Sequence, residues 1–122
     1  MQRILPNMAM RPLALAASLL FPALATAHFQ ELIPSVDLVT EDSGNEIVLD
    51  LTFTHPMERG PAMAMAPPVR FGVLGPAGLE DLGETLIPLR VDGQPAFQAH
   101  YRVTQPGGYQ FFVEPAPYWE PA

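Results

Sequence analysis

The 122-residue sequence predicts an all-β domain, a small Ig-like or Greek-key β-sandwich behind a cleaved signal peptide. Three observations predict it. Fifteen prolines leave no window fit for a long helix, because proline removes a backbone donor and clashes with the preceding turn. Several short segments alternate apolar and polar residues with a period of two, as a strand with one buried face does. Glycine- and proline-rich turns separate those segments.

The chain opens with Arg3 and Arg11, an apolar run over residues 13–24, and then Ala25-Thr26-Ala27. A basic start, a short apolar middle and an A-x-A exit make a secretory signal peptide. The run is about a dozen residues, short of the roughly 20 that cross a bilayer as a helix, and Pro22 interrupts it. Cleavage after Ala27 assigns residues 1–27 to the signal and residues 28–122 to the domain, which is exported to the periplasm. It also makes His28 the N-terminal residue. Its α-amine and its imidazole can then grip one metal ion as a chelate, which no internal histidine can do.

Composition narrows the function classes. Removing 27 of 122 residues leaves 95, enough for one small domain. Arg3 and Arg11 leave with the signal, so the formal charge moves from −7 to −9. Such a surface repels nucleic acid and anionic lipid and attracts cations diffusely. The sequence has no cysteine, which excludes thiolate metal sites and cysteine nucleophiles. Histidine, carboxylate, methionine and the N-terminal amine remain as donors.

The elements follow in order. Residues 35–40 form a weak first strand. The turn Asp42-Ser43-Gly44-Asn45 leads into residues 46–54, EIVLDLTFT, whose Ile47, Leu49, Leu51 and Phe53 share one face. Residues 69–74 form a shorter strand closed by Gly75-Pro76. Glu80, Asp81 and Glu84 make a solvated turn without the residue order of a calcium loop. Residues 85–91 form a strand that Pro88 confines to a sheet edge or a bulge. Residues 96–104 place Phe97, Ala99, Tyr101 and Val103 on one face. The turn Pro106-Gly107-Gly108 leads to residues 109–114, with Tyr109, Phe111 and Val113 together. These last two strands are expected to pair as a hairpin. Residues 56–68 are long for a connection between strands, and such loops often carry function.

The candidate chemistry gathers at that loop. His55 follows the best strand and shares the parity of its buried residues, so it sits at the rim of the core. Imidazole suits nickel, copper and zinc; a hydrogen-bonded histidine at a strand end is the structural alternative. Met57, Met63 and Met65 fall within nine residues, and thioethers serve either as soft ligands or as packing. Glu58 is a hard ligand, a partner that orients an imidazole, or a solvent-side partner of Arg59. His100 has the opposite parity from the buried residues of its strand and reads as a surface or structural residue. There is no Gly-rich phosphate loop, no G-x-S-x-G elbow and no H-E-x-x-H, and Ser35 and Ser43 are the only serines after residue 27. An enzyme is not expected.

Further matches run along the chain: His28-Phe29-Gln30, Leu32-Ile33-Pro34-Ser35, Thr52-Phe53-Thr54-His55-Pro56-Met57-Glu58, Met63-Ala64-Met65, Phe71-Gly72-Val73, Pro106-Gly107-Gly108-Tyr109 and Val113-Glu114-Pro115-Ala116-Pro117-Tyr118-Trp119-Glu120-Pro121. In this order they resemble the exported accessory proteins of nickel/cobalt uptake transporters, a domain family of unknown function. The resemblance implies a β-sandwich without catalysis that binds nickel or cobalt in the periplasm and serves an energy-coupling-factor or ABC-type permease. It implies His28 and His55 as leading ligands, with Met57, Glu58, Met63 and Met65 as additions. Family members continue past the Tyr-Trp-Glu-Pro run with a strand holding a further histidine and a second small β-domain, so the resemblance implies a shortened chain. A periplasmic copper carrier or resistance protein is the chemical alternative, and a metal-free interaction domain is the third reading.

Overall fold

The computed structural model describes residues 29–118. The signal segment and His28 lie outside those residues. The described chain folds into seven strands: β1 (Phe29–Pro34), β2 (Glu46–Thr54), β3 (Arg70–Gly75), β4 (Gly78–Asp81), β5 (Ile87–Val91), β6 (Gln94–Arg102) and β7 (Gln110–Glu114). They form two antiparallel sheets, one ordered β1-β2-β6-β5 and the other β4-β3-β7. No helix among the described residues is long and apolar enough to cross a membrane.

The alternation in β2 explains its place at the centre of the first sheet. Ile47, Leu49, Leu51 and Phe53 are all buried, and Leu49 and Leu51 have no exposed surface. Phe97 and Ala99 of β6 lie beside them, and Phe71 and Val73 of β3 face them from the second sheet. Tyr109, Phe111 and Val113 pack against the same core, as their shared parity predicts. Pro88 sits in β5, which among the described residues pairs with β6 alone, so its missing N–H interrupts no central ladder.

Three expectations are corrected. The strands over 96–104 and 109–114 do not pair with each other: β6 joins β2 and β5, whereas β7 joins β3. Their connection crosses from one sheet to the other. It is fixed by Tyr109, whose hydroxyl donates to the Gln105 carbonyl at 2.7 Å. That is the tyrosine corner of Greek-key sandwiches. Gly107, at φ +147, belongs to the same corner, where a Cβ would run into Pro76.

The hairpin instead joins β5 to β6 through Asp92 and Gly93, at φ 51 and 75. Positive φ at both central residues is the mirror-image turn that matches strand twist, and Asp-Gly favours it. Residues 35–40 form no strand, and β1 lies just before them. The Ser35 N–H donates to the Val48 carbonyl at 2.8 Å, and the Ser35 hydroxyl accepts from the Val48 N–H at 3.0 Å. That exchange uses the ladder's last groups and ends it. Glu80 and Asp81 lie not in a turn but in β4, the short edge strand paired to β3.

The order β1-β2-β6-β5 facing β4-β3-β7 is that of an Ig-type sandwich. β1, β2, β6 and β5 take the A, B, E and D places; β3 and β7 take C and F. β4 is an added edge beside C. Among the described residues no strand takes the G place beyond β7.

Candidate metal centre

His55 stands at the end of β2, where the strand enters a single 3-10 turn at Pro56–Glu58. Proline at the first position of that turn fixes its φ and gives up an N–H that would be unpaired anyway. Arg59 closes the turn in the left-handed region at φ 50, and the Gly60 N–H returns to the His55 carbonyl at 3.2 Å. Gly60 lies directly against the histidine. A Cβ there would stand 3.3 Å from the His55 Cβ and 3.8 Å from its Cδ2. The absence of a side chain at residue 60 lets the loop close over the half-buried imidazole.

The remainder of the loop is part of the sheet. The Met63 N–H donates to the Phe53 carbonyl at 2.7 Å, and the Met65 N–H to the Pro95 carbonyl at 2.9 Å. The Ala62 N–H donates to Asp92 Oδ2 at 3.0 Å. Residues 62–65 thus bridge the ends of β2 and β6. This placement separates the three methionines. Met65 is 2% exposed and belongs to the core, Met63 is half-buried against it, and Met57 is 91% exposed. Glu58 ends the 3-10 turn. His100 lies on the outer face of the first sheet, with Nδ1 3.1 Å from Glu46 Oε1 and Nε2 3.2 Å from Gln98 Oε1.

The β1–β2 register brings a second segment to the same end. Phe29 pairs with Thr54, Gln30 with Phe53 and Leu32 with Leu51. Gln30 therefore shares the inner face with Phe53. Its Oε1 is buried and has no hydrogen-bond partner among the described residues, and the same is true of Thr54 Oγ1 on the outer face. A buried carbonyl oxygen left without a donor marks a place for water or a cation. From the other terminus, Tyr118 sets its ring edge-on to Phe53, with centroids 4.9 Å apart.

Gln30, Gly60 and Tyr118 are the neighbours that reading the sequence missed. A polar residue in the inward phase of an apolar strand was the available signal for Gln30. Among the described residues, no three His, Asp or Glu side chains converge on a point that could hold a metal ion. A site at His55 therefore needs donors of another kind or from outside residues 29–118.

Neither the curated proteins nor the solved structures contain a match to this chain. Residues 25–122 match the family described as Domain of unknown function (DUF4198), and the chain belongs to that family.

Proposed function

We propose that the protein is a periplasmic metal-binding component that assists nickel or cobalt uptake by a membrane transporter and performs no catalysis. The ion is cargo. His28 gives it an α-amine and an imidazole nitrogen, and His55 gives a third nitrogen. Met57, Glu58 and Met63 are the further candidate donors in the loop, and Met65 holds that loop to the core. One observation carries the reading. The β1–β2 ladder ends at the pair Phe29 and Thr54, and the next residues in sequence are His28 before β1 and His55 after β2. The buried Gln30 oxygen beside Phe53, without a partner among the described residues, supports it. The choice of nickel or cobalt rests on the resemblance of the sequence motifs, and so does the transporter.

A copper carrier built on clustered thioethers is less well supported. Its thioethers do not gather: Met57 is 91% exposed, whereas Met65 is 2% exposed and lies in the core. The reading is tested by intact native mass spectrometry of protein recovered from the periplasm of nickel-supplied cells. It expects a chain beginning at His28 with one nickel bound. A chain beginning elsewhere, or a correctly processed chain free of metal, contradicts it. An α-amine has an ordinary pKa of about 8 and must lose its proton to bind, so nickel occupancy is expected to fall as the pH is lowered.

A further inference from the structure

The loop that follows His55 is held from a distance. The β2–β6 ladder runs from the pair Glu46 and Arg102 to the pair Leu51 and Phe97 and stops there. Pro95 of β6 has no N–H with which to continue it. The loop takes that place. Met63 forms an antiparallel bridge with Phe53, and the Met65 N–H donates to the Pro95 carbonyl at 2.9 Å. The Gly60 N–H returns to the His55 carbonyl. These three ties join backbone to backbone.

A fourth tie comes from a side chain. The Ala62 N–H donates to Asp92 Oδ2 at 3.0 Å, although the two residues stand 30 apart in sequence. Ala62 is buried, and a buried amide needs an acceptor. Asp92 is the first central residue of the β5–β6 turn, at φ 51. Turn chemistry explains why aspartate, asparagine or glycine suits that position. It does not explain why the carboxylate leaves its own turn for Ala62. What Ala62 adjoins does. On one side is Gly60, which lies directly against His55, and on the other is Met63, pinned to Phe53. Asp92 thus fixes the short stretch of chain that closes over the imidazole.

We propose that Asp92 is a positioning residue for His55: from the tip of the β5–β6 hairpin it holds the loop against the imidazole and so sets how tightly the metal centre keeps its ion. The second half rests on the nickel or cobalt reading given above. The carboxylate acts through the loop backbone, as a group outside the ligand set orients a ligand. Its acceptor oxygen matters, and its charge does not. Two substitutions separate these. Glycine keeps the turn at positive φ and removes the acceptor. Asparagine keeps both the turn and an acceptor oxygen and drops the charge. Alanine is unsuited, because at φ 51 it would add backbone strain to the loss of the bond.

The test compares Asp92→Gly and Asp92→Asn in the processed protein, with Tyr109→Phe at the far end of the sandwich as a control for general loosening. NMR of the metal-free protein follows the His55 ring signals and hydrogen exchange at the Ala62 amide. Asp92→Gly is expected to move the ring signals and to speed that exchange on the order of tenfold. Asp92→Asn is expected to restore both, and Tyr109→Phe to leave both at the parent's values. Nickel titration of the same proteins should show affinity lowered on the order of tenfold in Asp92→Gly and within about twofold of the parent in Asp92→Asn. Unmoved His55 signals in Asp92→Gly overturn the proposal, as does nickel affinity equal to the parent's. An asparagine variant that behaves like the glycine variant also overturns it, since the carboxylate would then act by its charge. An equal movement of His55 in Tyr109→Phe does the same. A parent protein that binds no nickel overturns the second half together with the metal reading, and the ring signals still decide whether Asp92 positions His55.

Discussion

The two ends of this sandwich share one core and differ in how they are finished. At the His55 end, residues 62–65 bridge β2 and β6, Met65 is sealed into the core and Tyr118 lies against Phe53. At the other end the segment after β1 stays outside the ladder, Leu38 is 74% exposed, and the sheets part around a cleft. The same β2 passes through both, from Ile47 beside the cleft to Phe53 beside His55. A metal site needs donors held still by packed neighbours. The closed end suits that task.

Cavity formation gives the largest expected contrast. Met65→Ala empties a buried position and is expected to destabilise the domain by about 2–5 kcal/mol. Leu38→Ala, at the open end, should stay within about 0.5 kcal/mol. Chemical denaturation of both variants measures the difference, and equal losses would remove the distinction between a sealed and an open end.

A sharper probe of the closed end is Gly60→Ala. The new methyl presses on His55, so nickel affinity should drop on the order of tenfold with little change in melting temperature. Unchanged affinity would show that Gly60 does not position the imidazole. At the open end, Tyr109→Phe deletes the hydroxyl that holds Gln105. The expected loss is about 1 kcal/mol, read from the shift in denaturation midpoint.

The smallest effect is a pH dependence at Tyr101. Burial first, and then the nearby Glu80 carboxylate, raises its phenol above the usual 10.0. The folded state therefore holds this proton more tightly than the unfolded chain does. The contribution is complete below about pH 10 and is lost as the pH rises from there through the folded value. Melting temperatures taken from about pH 9 to 11 should fall less steeply in Tyr101→Phe than in the parent.

Strand faces were legible in the sequence because burial has a period of two. Ile47 to Phe53 and Phe97 to Val103 face inward as their alternation requires. Pairing was less legible. Pro106-Gly107-Gly108 reads alike as a hairpin turn and as a crossing between sheets; the strand pairing and the Tyr109 hydroxyl on Gln105 distinguish them. Asp92-Gly93 at the true hairpin carried a turn signal that the reading of the sequence passed over. At the candidate site, the place of His55 at the core's rim followed from parity. The separation of Met57 from Met65 did not, since a thioether packs in a core as readily as it faces solvent. The meeting of β1 with the end of β2 depends on a register that residues far apart in sequence decide together.

The central claim is that the N-terminal histidine and His55 share one ion. It is tested most directly by calorimetric nickel titration of the chain beginning at His28, beside the same chain with one extra residue ahead of His28 and beside His55→Ala. The account predicts one nickel per chain for the first, and affinity reduced at least on the order of tenfold for each of the others. Affinity that survives the added residue would contradict it, because the α-amine would then be no ligand.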